Sequence, residues 1–302
     1  MRLVSFGEPG FEQPGVLRAD GRIAVLRPLL AGTLGIADPL DVNTVLAHLD
    51  VLREPIEALL AGPDTGSLAP ADVRLGPPVT RPGAIVAVGA NYREHVQEIS
   101  GSAGNLPDDP VLFLKPATSL GGPHDPVVRP RESKELDYEC EIAVVIGRGG
   151  RRIAEGDALG HVAGYMVAND VSARDVFVRD MAKSPTFIQI LRGKGCDTFC
   201  PTGPWLLTAD EVPDPQALRL RTWVNGELRQ DGTAAGMVFG IAAIVASVST
   251  CMTLRPGDVI LTGTPSGVGA SLDPPTFLGP GDVLRLEIDG LGVMETPVVD
   301  ET

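Results

Sequence analysis

Apolar residues recur at two spacings along the chain. Near the start, Arg2–Phe6, Gly15–Leu17 and Ile23–Leu26 are short apolar runs between turn residues, and they read as short strands. Asn43–Ala61 carries apolar positions at helical spacing and closes on Gly62–Pro63–Asp64. The Pro-rich Leu75–Pro82 reads as a linker. From Ala84–Val88 onward strands dominate: Ile142–Ile146, Gly164–Ala168, Trp205–Thr208, Leu218–Val224, Val259–Thr262 and Val283–Ile288. Asn225–Gly226 is a hairpin signal, and Pro256–Asp258 and Gly281–Asp282 are turns that launch strands. Ile241–Met252 is the clearest helix. The pattern predicts a small α/β unit over residues 1–75 and a larger, β-rich α+β unit over residues 76–302. There is no internal repeat, no Gly-x-Gly-x-x-Gly after a strand and no phosphate loop, so an alternating nucleotide-binding sheet is not expected.

Composition narrows the class. The chain has 302 residues, 36 of them Gly and 27 Pro, which favours turns and short strands over long helices. Aromatics are only 4%, so the core must be mainly aliphatic. With 25 basic against 39 acidic residues the net charge is −14, a poor match for nucleic acid or an anionic membrane. A carboxylate substrate would need local cations to hold it. Met1–Phe6 runs straight into Gly7–Glu8–Pro9–Gly10, unlike a signal peptide, and Met237–Val248 is far short of the roughly 18 apolar residues that span a bilayer. A cytoplasmic protein is expected. Cys140, Cys196, Cys200 and Cys251 are too few for a disulfide scaffold and read as reduced, partly buried thiols. Cys196 and Cys200 have no second pair and no nearby His to suggest zinc.

Chemistry concentrates in a few segments. Glu139 and Glu141 lead into the strand ending at Ile146, and residues two apart on a strand share a face, about 7 Å apart at the backbone. Two carboxylates so placed repel unless a cation or proton lies between them. The alternative is a solvated acidic strand edge. Asp170 follows the strand Gly164–Ala168 and is either a third ligand or a helix cap. Three carboxylates and water suit a hard ion such as Mg²⁺ or Mn²⁺. His95 and Glu98 lie three apart on a segment with helical polarity, where a carboxylate can orient an imidazole as a base; the alternative is a surface helix pair. Lys194 sits between Gly193 and Gly195 and is either a charge-neutralising group or an exposed loop cation. Gly263–Thr264–Pro265 offers backbone donors and a hydroxyl suited to an anion.

In this order these motifs resemble the fumarylacetoacetate hydrolase family: Val88–Tyr92 with His95 and Glu98, Pro110–Pro116, Asp137–Gly147, Asn169–Asp175, Gly193–Pro204, Val224–Leu228 and Pro256–Gly269. Met1–Gly10 and Gly76–Pro78 look like the bacterial branch with 2,4-diketo-3-deoxy-sugar-acid hydrolases, acylpyruvate hydrolases and isomerases of the homoprotocatechuate pathway. The resemblance implies a mixed β-sandwich roll, a homodimer, and Mg²⁺ or Mn²⁺ on Glu139, Glu141 and Asp170. It implies a catalytic dyad of His95 and Glu98 with Lys194 beside it, and substrate contacts from Arg174, Gly263 and Thr264. The implied reaction is carbon–carbon hydrolysis of a 2,4-dioxo acid to pyruvate. Decarboxylation of oxaloacetate or tautomerisation on the same site, and a non-catalytic metal-binding protein, are the alternatives. The chain departs from the family where Gln is often found two residues after Asp175: here stands Phe177. Arg179–Leu191 also reads as longer than in the sugar-acid hydrolases, so Phe177 and this segment are expected to form a less polar pocket.

Overall fold

The computed structural model describes residues 1–100 and 106–302. Its largest sheet has eleven strands. The main path runs Ile23–Val25, Gln13–Leu17, Arg2–Phe6, Cys200–Thr208, Val162–Asn169, Cys140–Ile146, Val259–Leu261, Ile85–Gly89 and Val111–Lys115. A five-stranded sheet runs Glu227–Thr233, Arg219–Val224, Val283–Ile288, Gly292–Asp300 and Val127–Arg129. This is the mixed, β-rich α+β architecture expected for the family resemblance.

The two sheets show why their sequences differ. Every residue of Cys140–Ile146 is buried, because this central strand is covered on both faces. Ile142, Val144 and Ile146 enter a core shared with Leu220, Leu284 and Leu286 of the second sheet. Ala143 and Val145 enter another, shared with Val45, Leu52 and Ile56 of the helices Val42–Ala47 and Leu49–Ala61. Each such aliphatic side chain stabilises by roughly 1.5–3 kcal/mol when removed from water. Val283–Ile288 instead buries only alternate residues, as a sheet with one wet face does. Asn225 and Gly226 take the left-handed φ values of 52° and 83° that a two-residue hairpin needs, and Val224 pairs with Glu227.

The N-terminal region holds the main differences from the sequence pattern. Asn43–Ala61 is two helices, split at His48, whose φ of −128° is not helical. Asp41 caps the first through the Thr44 N–H at 2.9 Å. A helix at Arg27–Leu34 had no clear periodic signal. The Pro-rich segment is anchored: Leu75–Gly76 pairs with Ser5 and Phe6, and Arg74 binds Asp125 and Glu12. Arg2–Phe6 pairs directly with Cys200–Thr208, so the first strands extend the large sheet. The four cysteines are free thiols. Among the described residues no helix is long and apolar enough to cross a membrane.

Candidate active site

The strand pairing that buries the core also aims three carboxylates at one point. Cys140 pairs with Asn169, so Glu139 and Asp170 flank the ends of adjacent strands, and the Asp170 N–H donates to the Glu139 carbonyl at 2.9 Å. Glu141 shares the phase of Ala143 and Val145 but lines a cavity instead of the core. Carboxylate oxygens of Glu139, Glu141 and Asp170 lie within 4.8 Å of one another, and all three residues are buried. The spacing argument for Glu139 and Glu141 therefore gives the right geometry, and Asp170 joins them as a neighbour in the cluster, not as a helix cap.

Burying these carboxylates requires counter-charge. Lys194 Nζ stands 2.7 Å from both Glu139 Oε2 and Asp170 Oδ2. It ends the short helix Ile190–Lys194, where Gly193 packs so closely on Phe177 that a Cβ there would lie 2.9 Å from the Phe177 Cα. Arg174 forks, with Nη2 2.7 Å from Glu139 Oε1 and Nε 2.9 Å from Asp137 Oδ2. Lys115 donates to Asp170 Oδ1 at 2.6 Å and to the Lys194 carbonyl.

The balance is uneven in a telling way. Asp137, Glu139, Glu141 and Asp170 face three fixed cations, Lys115, Lys194 and Arg174, and the carboxylate left over is Glu141. Among the described residues it forms no ion pair; the Gly263 N–H donates to it at 2.6 Å. Gly263 holds a φ of 92° and comes so close to Asn91 that only glycine fits. Burial, with Asp170 and Glu139 beside it, pushes the Glu141 carboxyl well above the usual range. Burial pushes Glu139 the same way, but Lys194 and Arg174 outweigh it and hold that carboxyl at about 2. Lys194 stays a cation: Asp170 and Glu139 overcome the burial that would discharge it. A divalent ion among these oxygens would relieve the one unpaired buried carboxylate, and an all-oxygen donor set suits Mg²⁺ or Mn²⁺. The residues present fit such an ion.

His95 lies on the helix Arg93–Ser100, with Nδ1 2.7 Å from Glu98 Oε1. Glu98 Oε2 accepts the Gly267 N–H at 2.9 Å, so the carboxylate is fixed from both sides. That leaves imidazole Nε2 for the cavity, which His95 and Glu98 both line. The cavity measures about 450 Å³ and brings together every site residue named from the sequence. Two of them carry out tasks inside the protein wall. The Gly263 N–H serves Glu141, and the Thr264 hydroxyl donates to the Cys140 carbonyl at 2.9 Å while accepting from Gln230 at 2.8 Å. Phe177 lines the cavity as expected, with Val178, Ile188 and Ile190 near it.

Sequence reasoning missed Lys115 and Asp137. Lys115 ends an apolar strand and had no mark to separate it from a surface lysine. Asp137 is fully buried and accepts the Gly269 and Ala270 N–H groups at 2.7 and 3.1 Å. Its signal was available: Asp137, Glu139 and Glu141 share one period of two.

Comparison with known proteins supports this grouping. Residues 84–299 match the family described as fumarylacetoacetate (FAA) hydrolase C-terminal. The chain is 41% identical to a 2,4-didehydro-3-deoxy-L-rhamnonate hydrolase of Sphingomonas sp. (strain SKA58), over 99% of this chain and 96% of that protein. It is 46% identical to a mitochondrial oxaloacetate tautomerase of Homo sapiens, over 84% of this chain and 76% of that one. A solved structure of maleylpyruvate hydrolase from Sphingobium sp. SYK-6, in complex with manganese (II) ion and pyruvate, superposes with a TM-score of 0.81 and 35% identity, covering 100% of both chains.

Proposed function

The chain belongs to the fumarylacetoacetate hydrolase family, and from that premise we propose that it is a divalent-metal-dependent hydrolase that cleaves a carbon–carbon bond in a 2,4-dioxo acid and releases pyruvate. The observation that carries this reading is a single cavity lined both by a carboxylate cluster with an unpaired member and by a carboxylate-oriented imidazole. The manganese and pyruvate named for the Sphingobium structure support the same ion class and the same product.

Bound by Glu139, Glu141 and Asp170, the ion would act as a Lewis acid toward the carboxylate and 2-oxo oxygen of the substrate. The chain's own groups do the rest. Glu98 holds His95 Nδ1, so Nε2 takes the proton from a water molecule. That water attacks the 4-carbonyl, and the bond between C3 and C4 breaks. Lys194, already held as a cation, stabilises the negative charge that develops on the pyruvate fragment. His95 then returns the proton to C3. Lys115 and Arg174 hold the Asp170 and Glu139 carboxylates in place.

His95→Ala is expected to lower kcat/KM by roughly 10²- to 10⁴-fold while leaving Mn²⁺ affinity intact. Near-full turnover in that variant would remove His95 from the chemistry.

A second reading has its own support. The human relative is named an oxaloacetate tautomerase, and proton shuttling between keto and enol forms needs the imidazole but no attacking water. Supplying oxaloacetate enol and an acylpyruvate side by side distinguishes the two.

A further inference from the structure

The carboxylate cluster addresses only the 2-oxo-acid end of a substrate. We propose that the rest of the cavity selects 2,4-dioxo acids whose acyl group is an uncharged alkyl chain of several carbons, and disfavours acyl groups that carry a carboxylate or hydroxyls. This inference rests on the hydrolase reading above.

Large apolar side chains line the cavity beside the carboxylates: Ile99, Val111, Phe113, Phe177, Ile188 and Ile190, with the Phe113 ring 5.4 Å from Lys194 Nζ. They come from separate elements, the helix Arg93–Ser100, the strand Val111–Lys115, the helix Arg174–Val178 and the segment entering Ile190–Lys194. Ile99 is 59% exposed, Val111 46% and Ile188 37%. Aliphatic side chains converging at the mouth of a cavity, yet left in water, can be covered by an alkyl group of the ligand.

What the wall lacks is equally specific. The basic side chains lining the cavity are committed elsewhere: Arg174 to Asp137 and Glu139, Lys194 to Glu139 and Asp170, and the His95 imidazole to Glu98. Among the described lining residues other than the carboxylates, Arg174, Lys194 and the His95–Glu98 pair, only Thr264 and Ser271 carry a polar side-chain atom, and the Thr264 hydroxyl is already hydrogen-bonded on both sides. A second carboxylate would find no uncommitted cation among the described lining residues, and an apolar wall disfavours a single added hydroxyl by about a hundredfold. The volume of about 450 Å³ also exceeds what a bare 2-oxo acid needs.

The reaction balances with water alone. For hexanoylpyruvate the C3–C4 bond breaks and the water oxygen bonds to C4, giving hexanoic acid. The electron pair of the broken bond stays on C3, which takes a proton from that water and becomes the methyl group of pyruvate.

The test measures kcat/KM of the Mg²⁺-loaded protein on acetyl-, butanoyl- and hexanoylpyruvate and on maleylpyruvate. In parallel, calorimetry measures the affinity of the same protein for oxamate and N-hexyloxamate, which are not cleaved. The expected kcat/KM rises about threefold per methylene, so that hexanoylpyruvate exceeds acetylpyruvate at least tenfold and maleylpyruvate by more. N-hexyloxamate is expected to bind at least tenfold tighter than oxamate. Ile188→Asp, at a partly exposed position, is expected to bring both ratios close to one. Preference for acetylpyruvate or maleylpyruvate overturns the proposal. If no acylpyruvate is cleaved, the hydrolase reading fails, and the oxamate pair alone decides: a tail gain upholds the apolar subsite, and equal affinities overturn it.

Discussion

At the buried end of the cavity three carboxylates crowd within 4.8 Å of one another, answered by Lys115, Lys194 and Arg174. At its open end Ile99, Val111 and Ile188 stand partly in water. The first end is over-determined: Glu139 and Asp170 are each held by two cations, and Glu141, which forms no ion pair among the described residues, is the carboxylate an incoming cation would satisfy. The second end is permissive, since apolar contact depends on area and not on direction. The chemistry is therefore expected to depend on single atoms in the buried cluster, and substrate choice on the sum of several replaceable side chains.

The sharpest way to break this contrast is Glu141→Gln. It removes the unpaired carboxylate and is expected to reduce turnover to background and abolish Mn²⁺ binding in a calorimetric titration. In chelator the same variant is expected to melt no lower than the parent, because it discharges a buried group that burial already disfavours. Retained Mn²⁺ affinity would show that the ion sits elsewhere.

Lys115→Met attacks the opposite side of the balance. It leaves a buried Asp170 carboxylate short of one partner and is expected to cost roughly 3–5 kcal/mol of stability in chelator, read from urea unfolding. A loss under about 1 kcal/mol would mean that Lys194 alone suffices for Asp170.

Glu98→Gln is milder. It keeps a hydrogen-bond acceptor for His95 but removes the charge, and kcat is expected to fall roughly 10- to 100-fold with Mn²⁺ affinity unchanged. An unchanged kcat would reduce the pair to a helix-surface contact.

The contrast also explains what the sequence made legible. Glu139 and Glu141 could be paired because a strand has a strict period of two, and His95 with Glu98 because helix neighbours lie three apart. Phe177 and the segment after Arg179 stood out as a departure from the family pattern, and Phe177, Ile188 and Ile190 do line the apolar wall. Lys115 was hidden because it reaches Asp170 from the far end of the sheet path, next to Ile85–Gly89, through contacts with no local spacing. Gly263 was read as a donor for a ligand anion. It donates to an anion of the protein itself, a distinction that depends on where two distant segments meet. The break at His48 escaped notice because both halves keep helical periodicity, while the backbone changes direction at one residue.

The protein, stripped with chelator and then reloaded with Mg²⁺ or Mn²⁺, is given an acylpyruvate, and both products are quantified. Pyruvate and the matching carboxylic acid are expected in equal amounts, with none formed in chelator and recovery on adding either ion. Keto–enol interconversion of oxaloacetate with no pyruvate formed from any acylpyruvate would contradict the hydrolase reading.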